Sequence, residues 1–156
     1  MKTDELAPTL LQDSREQTPL IFPTLKSIVA SLPTGDYSIA GMENEVCLER
    51  KSLADFIACV GVERDRFMRE CHRLMAYPFR RIIIVGERSD IEQGNYRSKM
   101  SAASILATIT TIEVRYNIPI IFTESQESAA LIVETYARYL LRERVKVLRE
   151  ILEKNG

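Results

Sequence analysis

Four consecutive branched aliphatic residues, Ile82 to Val85, constrain the fold of this chain most strongly. Neighbouring side chains of a β-strand point to opposite faces of the sheet, so an unbroken apolar run is typical of a strand that is buried on both faces. We therefore predict a strand in RRIIIVGE, residues 80–87. Burial on both faces requires helices on both sides of the sheet.

The other elements are predicted from alternating or β-branched runs for strands, and from apolar residues three and four apart for helices. Strands are expected at about residues 8–13, 26–32 and 118–124, with a β-hairpin over 35–51. Helices are expected over 52–61, about 64–76, 101–117 and 125 to about 154, with Phe67, Cys71, Leu74 and Met75 pointing inward from the second. This order predicts an α/β fold in one domain, residues 1–156, with a central mixed β-sheet flanked by helices on both faces.

Composition limits the class of protein. Hydrophobic residues make up 46% and charged residues 28%, which is typical of a soluble globular chain. No apolar run approaches the roughly 18 residues of a membrane helix, and the first residues lack the layout of a secretory signal, so we expect a cytoplasmic protein, nucleoid-associated if prokaryotic, with no membrane partner. The net charge of −1 means that any nucleic acid must be bound by local positive charge.

The cysteines do not indicate a metal site. Cys47, Cys59 and Cys71 have only His72 as a further soft ligand, and their spacing matches no zinc motif. We expect reduced, mostly buried thiols.

The stretch VCLERKS, residues 46–52, places charged residues in a strand that begins as a buried one. Alternation puts Cys47, Glu49 and Lys51 on one face and Val46, Leu48 and Arg50 on the other. The hairpin over 35–51 brings Asp36 beside Glu49. Two carboxylates that bind Mg²⁺ and one lysine beside the attacking water suffice to hydrolyse a phosphodiester.

Each of these charged residues also has a plainer interpretation. Asp55 fits a capping box that starts at Ser52. Arg15 and Glu16 fit a surface ion pair, worth under about 1 kcal/mol. Asp36 fits an ordinary turn aspartate after a glycine.

Together, the motifs DSRE at 13–16, GDY at 35–37 and ERKSLAD at 49–55 resemble the XPF family of structure-specific endonucleases. That family's pattern is Gly-Asp, a variable gap, then Glu-Arg-Lys, three residues and Asp, and this chain matches it without a mismatch. The segment VRYNIP at 114–119 is also similar, and the resemblance covers roughly residues 8 to 140. It implies the PD-(D/E)XK nuclease fold and divalent-metal chemistry.

The resemblance assigns roles position by position. Asp36 and Glu49 match the metal-binding acids, and Lys51 matches the lysine beside the attacking water. Arg50 matches the motif arginine. Supporting charged positions of the catalytic site match Asp13, Arg15, Glu16 and Asp55. The implied cofactor is Mg²⁺ or Mn²⁺.

Two groups of basic residues are candidates for DNA binding. Arg66, Arg69 and Arg73 form one stripe of the second helix, and arginine suits bidentate phosphate contacts. The family has an arginine at the position of Arg66, usually after a glycine, where this chain has Asp65. Arg97 and Lys99 precede a predicted helix and form the second group. The alternatives are a solvated helix face and an ordinary polar loop.

The C-terminal helix carries two apolar seams, Ala137-Leu141-Val145-Leu148-Leu152 and Val133-Leu140-Val147-Ile151. Because one stripe suffices to cover a sheet, and because the XPF family commonly forms dimers, we predict a homodimer. The alternative is that both seams pack on the chain's own sheet.

The expected function is a metal-dependent DNA endonuclease that acts on branched or flap-type DNA in repair, recombination or replication. The alternative is a non-catalytic DNA-binding or scaffold subunit, which the XPF family also contains, and a nuclease that acts on RNA remains open. Neither the helix-hairpin-helix module nor the helicase of many relatives is recognised in the sequence, so a separate DNA-binding or helicase partner is expected.

Overall fold

The computed structural model describes residues 5–156. Its sheet consists of strands β1 (Leu10–Asp13), β2 (Ser27–Ala30), β3 (Tyr37–Ile39), β4 (Val46–Ser52), β5 (Phe79–Val85) and β6 (Ile120–Thr123). The strand order is β2-β1-β3-β4-β5-β6. Strand β3 is antiparallel to β1 and β4, whereas the pairs β1–β2, β4–β5 and β5–β6 are parallel. The predicted mixed sheet and the hairpin are confirmed.

The helices are α1 (Leu53–Val60), α2 (Arg64–Leu74), α3 (Arg88–Glu92), α4 (Ala102–Tyr116) and α5 (Gln126–Asn155). Hydroxyl groups cap three of them: Ser52, Ser101 and Ser125 each accept a hydrogen bond from the backbone N–H three residues on. Asn117 ends α4 in the left-handed conformation, with φ of 50°. The four long predicted helices are confirmed, and a short helix, α3, lies between β5 and α4.

Strand β5 is buried on both faces, as its apolar run predicts. Ile82 and Ile84 belong to a core shared with α1, α2 and α4. Ile83 belongs to a second core, on the opposite face, which α5 covers. Two helical layers therefore enclose the sheet.

Cys47, Cys59 and Cys71 are free and buried, as expected. The prediction for Met75 is wrong, because α2 ends at Leu74 and leaves Met75 42% exposed at its C-terminus. Strand β2 lies at the edge of the sheet, and its residues are exposed or half-buried.

The N-terminal half of α5 packs on the sheet, but the C-terminal half does not. The buried residues of α5 end at Ala137. The far ends of both apolar seams are 46–61% exposed at Val147, Leu148, Ile151 and Leu152. The alternative that both seams pack fully on the chain's own sheet is therefore wrong for this half of the helix. Within residues 5–156, no helix combines the length and the apolar character needed to cross a membrane.

A buried carboxylate ties the segment before β2 to α5. Glu134 is 4% exposed. Its carboxylate accepts hydrogen bonds from the N–H groups of Thr24 and Leu25, at 2.8 Å each, and from the Thr24 hydroxyl at 2.7 Å. Burial alone would raise the pKa of Glu134, but these hydrogen bonds lower it below its usual value.

We expect Glu134→Ala to lower the free energy of unfolding by about 2–4 kcal/mol, because three donors near α5 lose their acceptor. Urea unfolding measures this change. Glu150→Ala, on an exposed position of the same helix, is the control and should change stability by less than about 0.5 kcal/mol. Equal effects of the two substitutions would contradict the anchoring role.

Candidate active site

A cleft of about 390 Å³ opens beside the C-terminal half of β4. It lies between this strand, the segment after β1, and helices α1 and α2. Most of the predicted catalytic residues line it, together with one of the predicted DNA-binding arginines: Arg15, Glu16, Asp36, Glu49, Arg50, Lys51, Asp55 and Arg66. Residues from four separate stretches of sequence thus meet in one place.

The charged side chains of β4 point alternately to the two faces of the sheet. On the face towards α1 and α2, the Lys51 Nζ lies 3.2 Å from a carboxylate oxygen of Glu49. On the opposite face, the Arg50 guanidinium forms two hydrogen bonds with the Glu16 carboxylate, at 2.8 and 3.0 Å. The predicted pairing of Glu49 with Lys51 on one face is confirmed.

Asp36 is held against β4 by main-chain hydrogen bonds. Its N–H donates to the carbonyl of Leu48 at 2.9 Å, and its carboxylate accepts from the N–H of Arg50 at 2.8 Å. The preceding Gly35 has φ of +82°, and a Cβ there would meet the Cys47 Sγ and the Leu48 carbonyl oxygen. Glycine is therefore required before the aspartate, since any side chain would push Asp36 away from β4.

The two acids are buried together, which raises the pKa of each. Burial raises the pKa of Glu49, which is 7% exposed, and the negative charges of Asp36 and Glu70 raise it further. Burial likewise raises the pKa of Asp36 to about 6, although the hydrogen bond from the Arg50 N–H opposes this shift. Each of these carboxylates therefore takes up a proton more readily than an exposed carboxylate does.

Lys51 keeps its proton in this environment. Burial by itself would lower the pKa of its ammonium group, but the charges of Glu49 and Glu70 outweigh burial and raise it. The group is consequently a permanent cation at a defined point of the cleft, 13% exposed.

Arg15 and Glu16 each pair with another residue and not with each other, so the surface ion pair considered for them is not formed. Arg15 donates to the Asp13 carboxylate at 2.8 Å, and Glu16 pairs with Arg50. Asp13 also accepts from the N–H of Leu32, which anchors the segment after β2. Asp13 lies outside the cleft, so its contacts support the position of the cleft wall.

Asp55 lies in the first turn of α1. The Ser52 hydroxyl accepts from the N–H of Asp55 at 3.1 Å, so Ser52 caps the helix. Asp55 itself is exposed and lines the cleft.

The candidate DNA-binding residues fall in three places. Arg66 is 77% exposed at the cleft, where it pairs with Glu63 at 3.8 Å. Arg69 and Arg73 line a separate depression beside Tyr116. The loop pair Arg97 and Lys99 lines an apolar groove between α1 and α4, apart from the carboxylates.

Sequence reasoning missed Glu70, which lines the cleft from α2. Its carboxylate lies 3.9 Å from the Lys51 Nζ. The only signal in the sequence is its helical spacing from Arg66 and Phe67, which places it between the basic and the apolar face of α2. That spacing does not reveal that the fold brings this face of α2 to Lys51.

The donor set fits a divalent cation of the Mg²⁺ type. Within residues 5–156, no three His, Cys, Asp or Glu side chains are grouped so as to hold a metal ion by themselves. Mg²⁺, however, is typically bound by one or two carboxylates, with water and substrate phosphate completing its shell. Asp36 and Glu49 supply two such carboxylates, and a cation beside them would favour their charged forms, which burial disfavours.

Residues 12–135 match the ERCC4 domain family. Two solved structures of XPF from Aeropyrum pernix are similar to this chain at 25% sequence identity. The structure in complex with DNA has a TM-score of 0.68 and covers 87% of this chain and 66% of its own. The other has a TM-score of 0.69, with 85% and 61% covered. This chain thus spans about two-thirds of each relative, and no curated protein matches it.

Proposed function

This chain belongs to the ERCC4 domain family, and on that premise we propose that it is a metal-dependent endonuclease that hydrolyses phosphodiester bonds in DNA. The proposed substrates are branched or flap-type DNA, in repair, recombination or replication. One observation carries the proposal: Lys51 and Glu49 lie 3.2 Å apart in a cleft that also holds Asp36. One of the similar solved structures contains DNA.

In the proposed mechanism, Asp36 and Glu49 would hold Mg²⁺ or Mn²⁺, and Lys51 would place its ammonium beside the attacking water. The bound cation would stabilise charge on the phosphoryl oxygens and lower the pKa of water. Lys51 hydrogen-bonds that water and adds positive charge where negative charge develops. The Arg50–Glu16 pair holds the segment after β1 against β4, and the Arg50 N–H fixes the Asp36 carboxylate.

The alternative is a non-catalytic DNA-binding or scaffold subunit. Such a subunit has no need of a lysine flanked by buried carboxylates, an arrangement whose desolvation is costly. The retained Asp36, Glu49 and Lys51 favour the enzyme. A separate DNA-binding or helicase partner remains part of the proposal.

The direct test is cleavage of labelled single-stranded, duplex, flap and forked DNA, with matched RNA, in the presence of Mg²⁺ or Mn²⁺. We expect cuts near the junction of flap or forked DNA and no cleavage in EDTA. DNA binding without cleavage of any substrate by this chain would favour the scaffold alternative. Cleavage of RNA alone would overturn the assignment of DNA as substrate.

We expect Arg66, Arg69 and Arg73 to bind phosphate without reading bases. Three phosphate contacts contribute about −2 to −3 to the slope of log K against log salt. Replacing all three by Ala should flatten the slope by this amount on every DNA sequence, as fluorescence anisotropy would show. Replacing Arg88, Lys146 and Lys154 by Ala removes the same charge elsewhere and should leave the slope unchanged. An equal slope for the first variant and the wild type would indicate a solvated helix face.

We also propose a homodimer, for which the exposed apolar residues of α5 are a candidate interface. A stable pair should bury well over about 1,000 Å² in total. Light scattering at micromolar concentration should then give twice the chain mass of 17.8 kDa. Leu141→Lys with Leu148→Lys should give soluble monomer, whereas Val114→Lys tests the other candidate helix, α4. A mass of one chain that does not change with concentration would rule the dimer out.

A further inference from the structure

We propose that Glu70 is a positioning residue for Lys51, and that Glu70 and the ring of Phe67 together form a clamp on α2 that holds the lysine ammonium in the cleft. The proposal deepens the proposed function, since the catalytic role of Lys51 belongs to that function. The position of the ammonium, by contrast, is a property of the protein alone.

Two side chains of α2 contact the same ammonium group. The Glu70 carboxylate lies 3.9 Å from the Lys51 Nζ, and the Nζ lies over the Phe67 ring, 5.2 Å from its centroid. The face of an aromatic ring attracts a cation at this distance. Phe67 and Glu70 are three residues apart, so both project from one side of the helix.

The Phe67 side of the clamp is buried in the core of the protein. Phe67 is 1% exposed, and its ring contacts that of Phe56 edge to face, with 6.0 Å between centroids. Phe56 lies on α1, which follows β4 directly. The connection from Lys51 through α1 and back to Phe67 is therefore short and buried. Glu70 is 20% exposed at the cleft, where solvent screens its charge only in part.

The clamp is needed because Glu49 has two roles: it pairs with Lys51, and in the proposed mechanism it also binds the metal ion. In the structure, Glu49 is the nearer counter-charge of Lys51, at 3.2 Å. If Glu49 binds a divalent cation, less of its charge remains for Lys51, and the ammonium then lies beside a second positive charge. Glu70 and the Phe67 ring contact the ammonium from the side of α2. They would therefore keep the ammonium in place while Glu49 binds the metal ion.

Glu70→Gln tests this role, because it removes the charge and preserves the shape. We expect kcat for DNA cleavage to fall by about 10- to 100-fold, the usual effect of losing a partner that orients a catalytic ligand. KM for DNA should stay within about twofold, since binding is unaffected. The Mg²⁺ concentration for half-maximal rate should also stay the same. Glu92→Gln, which removes an exposed ion pair with Arg88, is the control and should leave kcat unchanged.

A second measurement needs neither metal nor DNA. Urea unfolding of the wild type, Lys51→Met, Glu70→Gln and the double variant forms a cycle that isolates the interaction of the two side chains. We expect the effect of the double substitution on the unfolding equilibrium constant to differ from the product of the two single effects by at least about threefold, as for residues in direct contact. Because this readout is independent of cleavage, it tests the clamp even if the wild type cuts no DNA, a result that would count against the proposed function alone.

Three results would overturn the positioning role. An unchanged kcat for Glu70→Gln would show that the carboxylate is dispensable. Additive stabilities in the cycle would show that Glu70 and Lys51 do not interact. A higher requirement for Mg²⁺ would show that Glu70 acts on the ion instead of on the lysine.

Discussion

Asp36→Ala and Glu49→Ala should each reduce the rate of DNA cleavage by about a thousandfold or more, because the lost metal interaction supplies several kcal/mol of transition-state stabilisation. Each of the two side chains is fixed in the cleft by contacts of its own. Asp36 is fixed by the Arg50 N–H, and Glu49 is the buried partner of Lys51. Single-turnover cleavage of flap or forked DNA measures the effect.

The fold should survive these substitutions, and Asp36→Asn is the sharper control. The pKa of Asp36 is raised from 3.8 to about 6, so the folded state binds a proton more tightly than the unfolded state does. Stability is therefore lost as pH rises from about 4 to about 6. Asp36→Asn removes this loss and should raise the free energy of unfolding at pH 7 by about 1–3 kcal/mol in the absence of metal. Wild-type cleavage by Asp36→Asn or Glu49→Gln would disprove the site.

Lys51→Arg should be nearly as inactive as Lys51→Ala, with a loss of about 10²- to 10⁴-fold in the cleavage rate. The ammonium is a compact charge held between Glu49, Glu70 and the Phe67 ring. A planar guanidinium is larger and cannot take the same position beside a water molecule. The affinity for DNA should stay within about twofold, as measured by anisotropy with Ca²⁺ in place of Mg²⁺.

Lys146→Arg, on the exposed C-terminal half of α5, is the matched control and should cleave at the wild-type rate. Full activity of Lys51→Arg would show that a positive charge is sufficient and that the exact position of this charge does not matter. Loss of DNA binding in Lys51→Ala would instead place the lysine in substrate recognition.

Local patterns were enough to predict the sheet and half of the site. The branched aliphatic run of β5 predicts burial on both faces, and Ile83 and its neighbours confirm it. The period of two in β4 predicts that Glu49 and Lys51 share a face, and the hairpin predicts the proximity of Asp36. These features depend on strand periodicity and on contacts between adjacent strands, which the sequence encodes directly.

Contacts between distant elements could not be predicted in the same way. Glu70 reaches Lys51 because α2 packs on α1, which follows β4 directly. Glu134 accepts hydrogen bonds from Thr24 and Leu25, more than 100 residues away. Met75 was placed inside by helical spacing, but α2 ends one residue earlier. The sequence alone therefore determined the strand pattern and the motif residues. The tertiary structure decided which helix contacts Lys51, because the way in which helices pack depends on whole faces and on no local periodicity.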